Sequence, residues 1–249
     1  MNARILAWVI VLATGGCAST TERTASEVDA ANERTQAKAR EQIARGEAID
    51  VKAESDAAVA TIDEAARNAK GMEGALLRAS SELLHDLQAA RERHDGAVQA
   101  FLEVGALDPT ALTDAAAVKA RTDALEAFCK ENEALRALIE GMPQDYERRA
   151  RAQGVDDKAV AAALEGFMKG FPQQDLIAMR DLDRRFCAAA RTQLSILGTR
   201  PSHWTLAADG LSFDETVPDE EVDRFDVAGR EIEAVAQEQT ELEKRLYAR

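Results

Sequence analysis

The sequence predicts an all-α fold, an antiparallel helical bundle with a long Ala-rich helix at its N-terminal side and one small β-hairpin near the C-terminus. Three observations predict it. Aromatic residues make up 4% of the 249 residues while 31% are charged, a balance suited to helices packed through small and aliphatic side chains. Apolar residues recur at spacings of three and four along most of the chain, which places them on one face of a helix. Only one stretch, "HWTLAADGLSF", sets two short apolar runs around an Asp-Gly pair, the pattern of a strand hairpin.

The first element has a different character. Met1 to Arg4 carry a basic side chain and the α-amino group, Ile5 to Ala13 are apolar, and small residues follow. That is the layout of a secretory signal, and the run is too short to span a bilayer, which takes about 20 apolar residues. Residues 1–16 are therefore read as a signal peptide and 17–26 as a short polar tether. From 27 to 70 the chain is rich in Ala and alternating charge, with high helix propensity throughout. Its apolar stripe is thin, consisting mainly of Val28, Ala31, Ile43, Val51, Val59 and Ile62. Such a stripe buries little area, so an extended, exposed or loosely associated helix is expected, suited to a spacer or a coiled-coil partner surface.

Residues 71–249 are read as the bundle proper. Gly71-Met72-Glu73-Gly74 interrupts the first helix. A second follows with Leu76, Leu77, Leu83, Leu84, Leu87, Ala90, Val98, Phe101 and Leu102 on a broad stripe. "VGALDPT" ends it, with Gly105 suited to a left-handed terminal residue and Pro109 to a turn. The third helix is expected from about Ala111 to Met142. Its seam holds Val118, Arg121, Leu125, Phe128, Asn132, Leu135, Ile139 and Met142. Pro143 is expected to stop it, leaving two shorter pieces, the second capped by Asp156 or Asp157. Pro172 opens the next helix, which carries Leu176, Ile177, Met179, Leu182, Phe186, Cys187, Ala190 and Leu194 inward until Gly198 stops it. Its "RDLDRR" reads as a solvated charged face. The hairpin lies near 203–213, and a last helix runs from Asp219 with Val222, Phe225, Gly229, Ile232, Ala236 and Leu246 on its stripe.

The formal charge is −14, which repels nucleic acid and anionic headgroups, so no nucleic-acid partner is expected. A search for chemistry finds no catalytic constellation. Glu82 and His85 have the Glu-x-x-His spacing of helical di-iron sites, but the second copy such a site needs is missing. His94 and His203 have no metal-ligand spacing, and solvated or capping roles are expected for the histidines. No Gly-x-Ser-x-Gly, Cys-His pairing or phosphate loop occurs. The reading is of a chain with no metal and no cofactor, and not an enzyme. Arg121 and Asn132 are polar interruptions of the third helix's seam. They either line a polar groove or fix register between helices.

Ala13-Thr14-Gly15-Gly16-Cys17 resembles the lipobox of bacterial lipoproteins, with Thr14 where that family usually has Leu. The resemblance implies that Cys17 is acylated and becomes the new N-terminus, tethering the chain through lipid; several acyl chains give stable anchoring where one is marginal. Ala18 follows, where an Asp would favour inner-membrane retention, so the resemblance implies the outer membrane, facing the periplasm. An ordinary signal peptide with an incidental cysteine is the other reading. The "W-x-L-x-x-D-G-x-x-F" hairpin and the helix after it also resemble the C-terminal part of some uncharacterised helical bacterial lipoproteins.

With Cys17 acylated, Cys129 and Cys187 are the remaining thiols in an oxidising compartment. If their helices are antiparallel neighbours, counts from Met142 and Pro172 put the two at heights differing by about 3 Å. They form a cross-helix disulfide or are two separately buried small residues. The expected function is that of a lipid-anchored envelope protein with a structural or protein-interaction role. Its partners are the membrane, through the lipid, and an envelope protein or a second copy. The alternative is a periplasm-facing lipoprotein that binds a small molecule or metal.

Overall fold

A computed structural model describes residues 51–112, 114–200, 202–207 and 210–247. The described chain is all-α apart from one hairpin. Its helices are α1 (Val51–Asn68), α2 (Gly71–Glu103), α3 (Ala115–Ala152), α4 (Asp157–Gly170), α5 (Gln173–Thr199) and α6 (Asp219–Tyr247). A 3₁₀ turn spans Pro109–Ala111, and strands β1 (Trp204–Ala207) and β2 (Gly210–Phe213) form the hairpin. The chain divides into two compact units. One holds residues up to Ala89 with Leu138–Gln174, the other Ala90–Ala137 with the residues from Asp175 onward.

In the first unit, the described part of the Ala-rich segment differs from expectation. Val59, Ile62, Ala65 and Ala66 of α1 are buried, with Ala65 and Ala66 packed on Leu77 of α2. Alanine faces let two helices approach closely, so a thin stripe still buries a side. Polar pairs add to this contact: Ser81 and His85 of α2 both meet the Asp63 carboxylate, and Gln88 donates to Asp56. The unit boundary therefore does not follow the break at residues 69–70.

The larger correction concerns Pro143, which does not end the third helix; α3 runs through it to Ala152. A proline has no N–H to give the carbonyl four residues earlier, which here belongs to Ile139. Gln173, at the start of α5, supplies the missing donor, its Nε2 lying 2.8 Å from the Ile139 oxygen and 3.4 Å from that of Glu140. Helix α3 then closes on Gly154 at φ +83, with Gly154 N–H donating to Arg151 O and Val155 N–H to Ala150 O. This is a Schellman closure, and Ala150 and Val155 flanking it are both buried. Asp156 caps α4 through the amide of Ala159. Tyr146, Phe167 and Phe171 stack successively at 5.7 and 5.8 Å.

The core of the second unit joins Phe101, Val118, Leu125, Phe128, Cys129, Cys187, Ala190, Leu194, Leu197 and Trp204. Gly105 ends α2 as expected, at φ +87, again with a 6→1 bond, from Ala106 N–H to Phe101 O. Helix α5 passes Gly198 and ends at Thr199. In the hairpin Trp204 pairs with Phe213 and Ala207 with Gly210, so Gly210 begins the second strand and is not part of the turn. Trp204 is buried and donates from Nε1 to the Leu197 carbonyl at 3.2 Å, tying the hairpin to the end of α5. The stripe of α6 buries Ala228, Val235 and Leu242, with Phe225 and Ile232 half-buried.

Candidate functional site

The most unusual feature of the second unit is a buried polar layer to which four helices contribute. His94, with Arg91 and Asp95, comes from α2; Asn132 from α3; Arg180 and Asp183 from α5; Gln239 from α6. His94 is 7% exposed, Arg180 8%, Asp183 7% and Asn132 0%. Burying such groups is costly unless they are paired. Arg180 Nη1 donates to His94 Nε2 at 2.7 Å and lies 3.2 Å from Asp183 Oδ2. Gln239 donates to Asp183 Oδ1 at 2.7 Å. A guanidinium has no acceptor, so Nε2 of His94 must carry the lone pair. The ring proton then sits on Nδ1, which faces Asp95 Oδ1 at 3.3 Å, and the ring is neutral in this arrangement. The Phe128 ring closes one side, its centroid 5.5 Å from that of His94. Burial raises the Asp95 carboxyl, but the His94 hydrogen bond and the charges of Arg91, of His94 when it is protonated, and of Arg180 outweigh it and leave it below the usual range.

Asn132 holds this layer in register, donating from Nδ2 to the backbone carbonyl of Arg180 at 3.0 Å, while its Oδ1 has no hydrogen-bond partner. Asp183 Oδ2 also accepts no aligned hydrogen bond; its 3.2 Å approach to Arg180 is an attraction of charges. One turn from Asn132, Cys129 is bonded to Cys187, with Cα atoms 5.9 Å apart. Outside these contacts, Arg184 and Arg191 of α5 reach Glu133 and Glu126 of α3, and Arg185 reaches Glu231 and Glu238 of α6.

Arg121 does not join this layer. Its Nε donates to Val104 O at 2.9 Å, the carbonyl at the C-terminus of α2, where a cation complements the helix dipole. It is 0% exposed, and Nη1 and Nη2 lack partners. Burial pushes its guanidinium down from the ordinary value, opposed by the charge of Asp108. Gly105 packs so tightly here that a Cβ on it would lie 2.7 Å from Nη2.

The two polar seam residues of α3 therefore have separate roles, one fixing helix register and the other capping a helix end. Neither lines the shallow groove of about 760 Å³ between α5 and α6, which lies over Leu182 and Leu242 beside Asp181, Arg185 and Glu238. His85 is exposed and bound to Asp63; Ser81 donates to the same carboxylate, so the carboxylate stands between the hydroxyl and the imidazole. His203 Nδ1 faces Asp214 and Thr216 at the base of the hairpin, a capping role. No group of three or more metal-ligating side chains occurs among the described residues.

Two expectations are corrected. His94 is buried, not solvated, and "RDLDRR" is not a solvated face at Arg180 and Asp183. The signal was present: residues 176, 180, 183, 187, 190 and 194 keep the three-four spacing, so Arg180 and Asp183 share the face of Cys187. His94 likewise falls between Ala90 and Phe101 on the inward stripe of α2. Cys17 lies outside the described residues. No protein-family model, curated protein or solved structure matches the chain.

Proposed function

We propose that this chain is a lipid-anchored helical protein of the bacterial envelope, tethered through Cys17 at the outer membrane and facing the periplasm. Its role is structural or one of protein interaction, and it carries no catalytic site. The observation behind this reading is the apolar run ending in Ala13-Thr14-Gly15-Gly16-Cys17, followed by a charged polar chain. Among the described residues no helix is long and apolar enough to cross a membrane, so lipid would be what holds this part of the chain at one. The acidic surface and its many interhelical Arg–carboxylate pairs suit a body that meets an envelope protein or a second copy of itself. Intact mass of the protein from its native membrane fraction tests the proposal. Acyl mass on a chain beginning at Cys17 supports it. A chain without lipid, or one beginning at Met1, sinks it.

A further inference from the structure

We propose that the His94 layer is an acid-sensitive device: protonation of His94 unbalances a charge-matched buried layer and loosens the helices it joins. This does not depend on where in the cell the chain resides. The groups facing His94 are few. Helix α2 supplies Asp95 and Arg91, which lie 3.4 Å from each other; α5 supplies Arg180 and Asp183. Helix α3 supplies the Phe128 ring against His94 and the Asn132 amide on the Arg180 carbonyl, and α6 the amide of Gln239 on Asp183. Other charges nearby in sequence include Glu92 and Arg93 on α2 and Glu131 and Glu133 on α3; Arg93 pairs with Glu131 at 3.3 Å and Glu133 with Arg184 at 2.7 Å.

With His94 neutral, two arginines face two aspartates and the layer carries no net charge. One added proton leaves an uncompensated positive charge beside His94, Arg180 and Asp183, each over nine-tenths buried, with Arg91 and Asp95 half-buried at the edge, a state proteins relieve by rearranging or opening. The same proton removes the lone pair that accepts from Arg180, turning a 2.7 Å hydrogen bond into a contact between two cations. The new Nε2–H has an acceptor near reach in Asp183 Oδ2, 3.6 Å away. That oxygen accepts no hydrogen bond, but Arg180 is held by its charge. Occupying it displaces Arg180, and with it one side of the α2–α5 contact. For His85 and His203 the ring partner is a carboxylate, of Asp63 and Asp214, rather than a guanidinium. Protonation there adds an attraction.

Hydrogen exchange of the full chain, read by mass spectrometry at pH 7.5 and 5.5 and corrected for intrinsic rates, tests this. In that interval an ordinary histidine changes charge and an ordinary carboxylate does not, given reference values of about 6.5 and 4. The expected result is a loss of protection of about tenfold or more in the second unit, with the first unit changed by less than about twofold. In His94→Gln, whose amide still accepts from Arg180 and donates to Asp95 but does not titrate, the loss disappears. Unchanged protection in the wild type, or an equal loss in His94→Gln, overturns the proposal. Should that variant not fold, ¹⁵N spectra of the wild-type ring at pH 7.5 decide: an unprotonated Nε2 supports the device, and a protonated one overturns it.

Discussion

Replacing Pro143 or Gln173 probes how a proline is carried inside a 38-residue helix. In the wild type, Gln173→Ala strips the Ile139 carbonyl of its 2.8 Å donor and weakens a second contact to Glu140. Leaving a buried acceptor unpaired costs about 1–3 kcal/mol; this one is half-buried, so about 1–1.5 kcal/mol is expected. Pro143→Ala restores the N–H that a helix uses for the same carbonyl, and is expected to stabilise by about 1 kcal/mol or more. With that N–H in place Gln173 is redundant, and Gln173→Ala in the Pro143→Ala background should cost about 0.5 kcal/mol or less. The double-mutant cycle then has a coupling near 1 kcal/mol. Urea unfolding followed by circular dichroism, with hydrogen exchange of α3 amides as a local probe, measures all four corners. Equal costs for Gln173→Ala in the two backgrounds would falsify the compensation.

Other consequences follow from the same contacts. The Cys129–Cys187 bond closes a separation of 58 residues, for which the chain-entropy model gives about 4 kcal/mol. Reduction should lower the urea midpoint markedly, and an unmoved midpoint in reductant would remove the bond from the account of stability. Gly105→Ala and Gly154→Ala both place a side chain at positive φ, but only the first meets neighbours, Arg121 and Ala111, within 3 Å. The second should cost about 1 kcal/mol and the first clearly more; equal losses of thermal stability would refute the packing of Arg121 under that loop. Glu126, Asp181 and Glu238 are held below the usual carboxylate range, chiefly by hydrogen bonds from Arg191, Arg136 and Arg185. Depressed folded values mean that their contribution is present above about pH 4 and lost as pH falls through those lower values. In the His94→Gln background, acid unfolding should therefore begin below about pH 4.5 and be weakened in its pH dependence by salt, since these pairs are exposed; a salt-independent profile would argue that the pairs contribute nothing.

Much of the fold was legible because its signals are local. Gly105 and Asp156 terminate and cap helices through bonds spanning a few residues. The hairpin likewise needs only alternating apolar residues around a short turn, although its register shifted by one at Gly210. The course of α3 was not legible, because the donor that rescues Ile139 comes from Gln173, 34 residues away. Nor was the burial of α1, since alanine gives almost no hydrophobic contrast between a solvated face and a closely packed one. For the candidate site, Arg121 and Asn132 stood out as polar residues on an apolar seam. His94, Arg180 and Asp183 lie on equally regular stripes, yet charge alone made them look solvated.

What the sequence by itself determined is the helical class, the helix ends set by local caps such as Gly105 and Asp156, and most of the apolar faces that are buried. Those follow from backbone propensity and a 3.6-residue period, which neighbouring residues set among themselves. Tertiary structure alone decided the partners of the buried polar groups: Arg121 at the end of α2, Asn132 on a carbonyl of α5, and His94 between Asp95 and Arg180. Arg180 and Asp183 share a helix and His94 adjoins Asp95, but which of these groups meet inside the core is set by how the helices pack against one another, and buried polar groups are stable only where that packing pairs them.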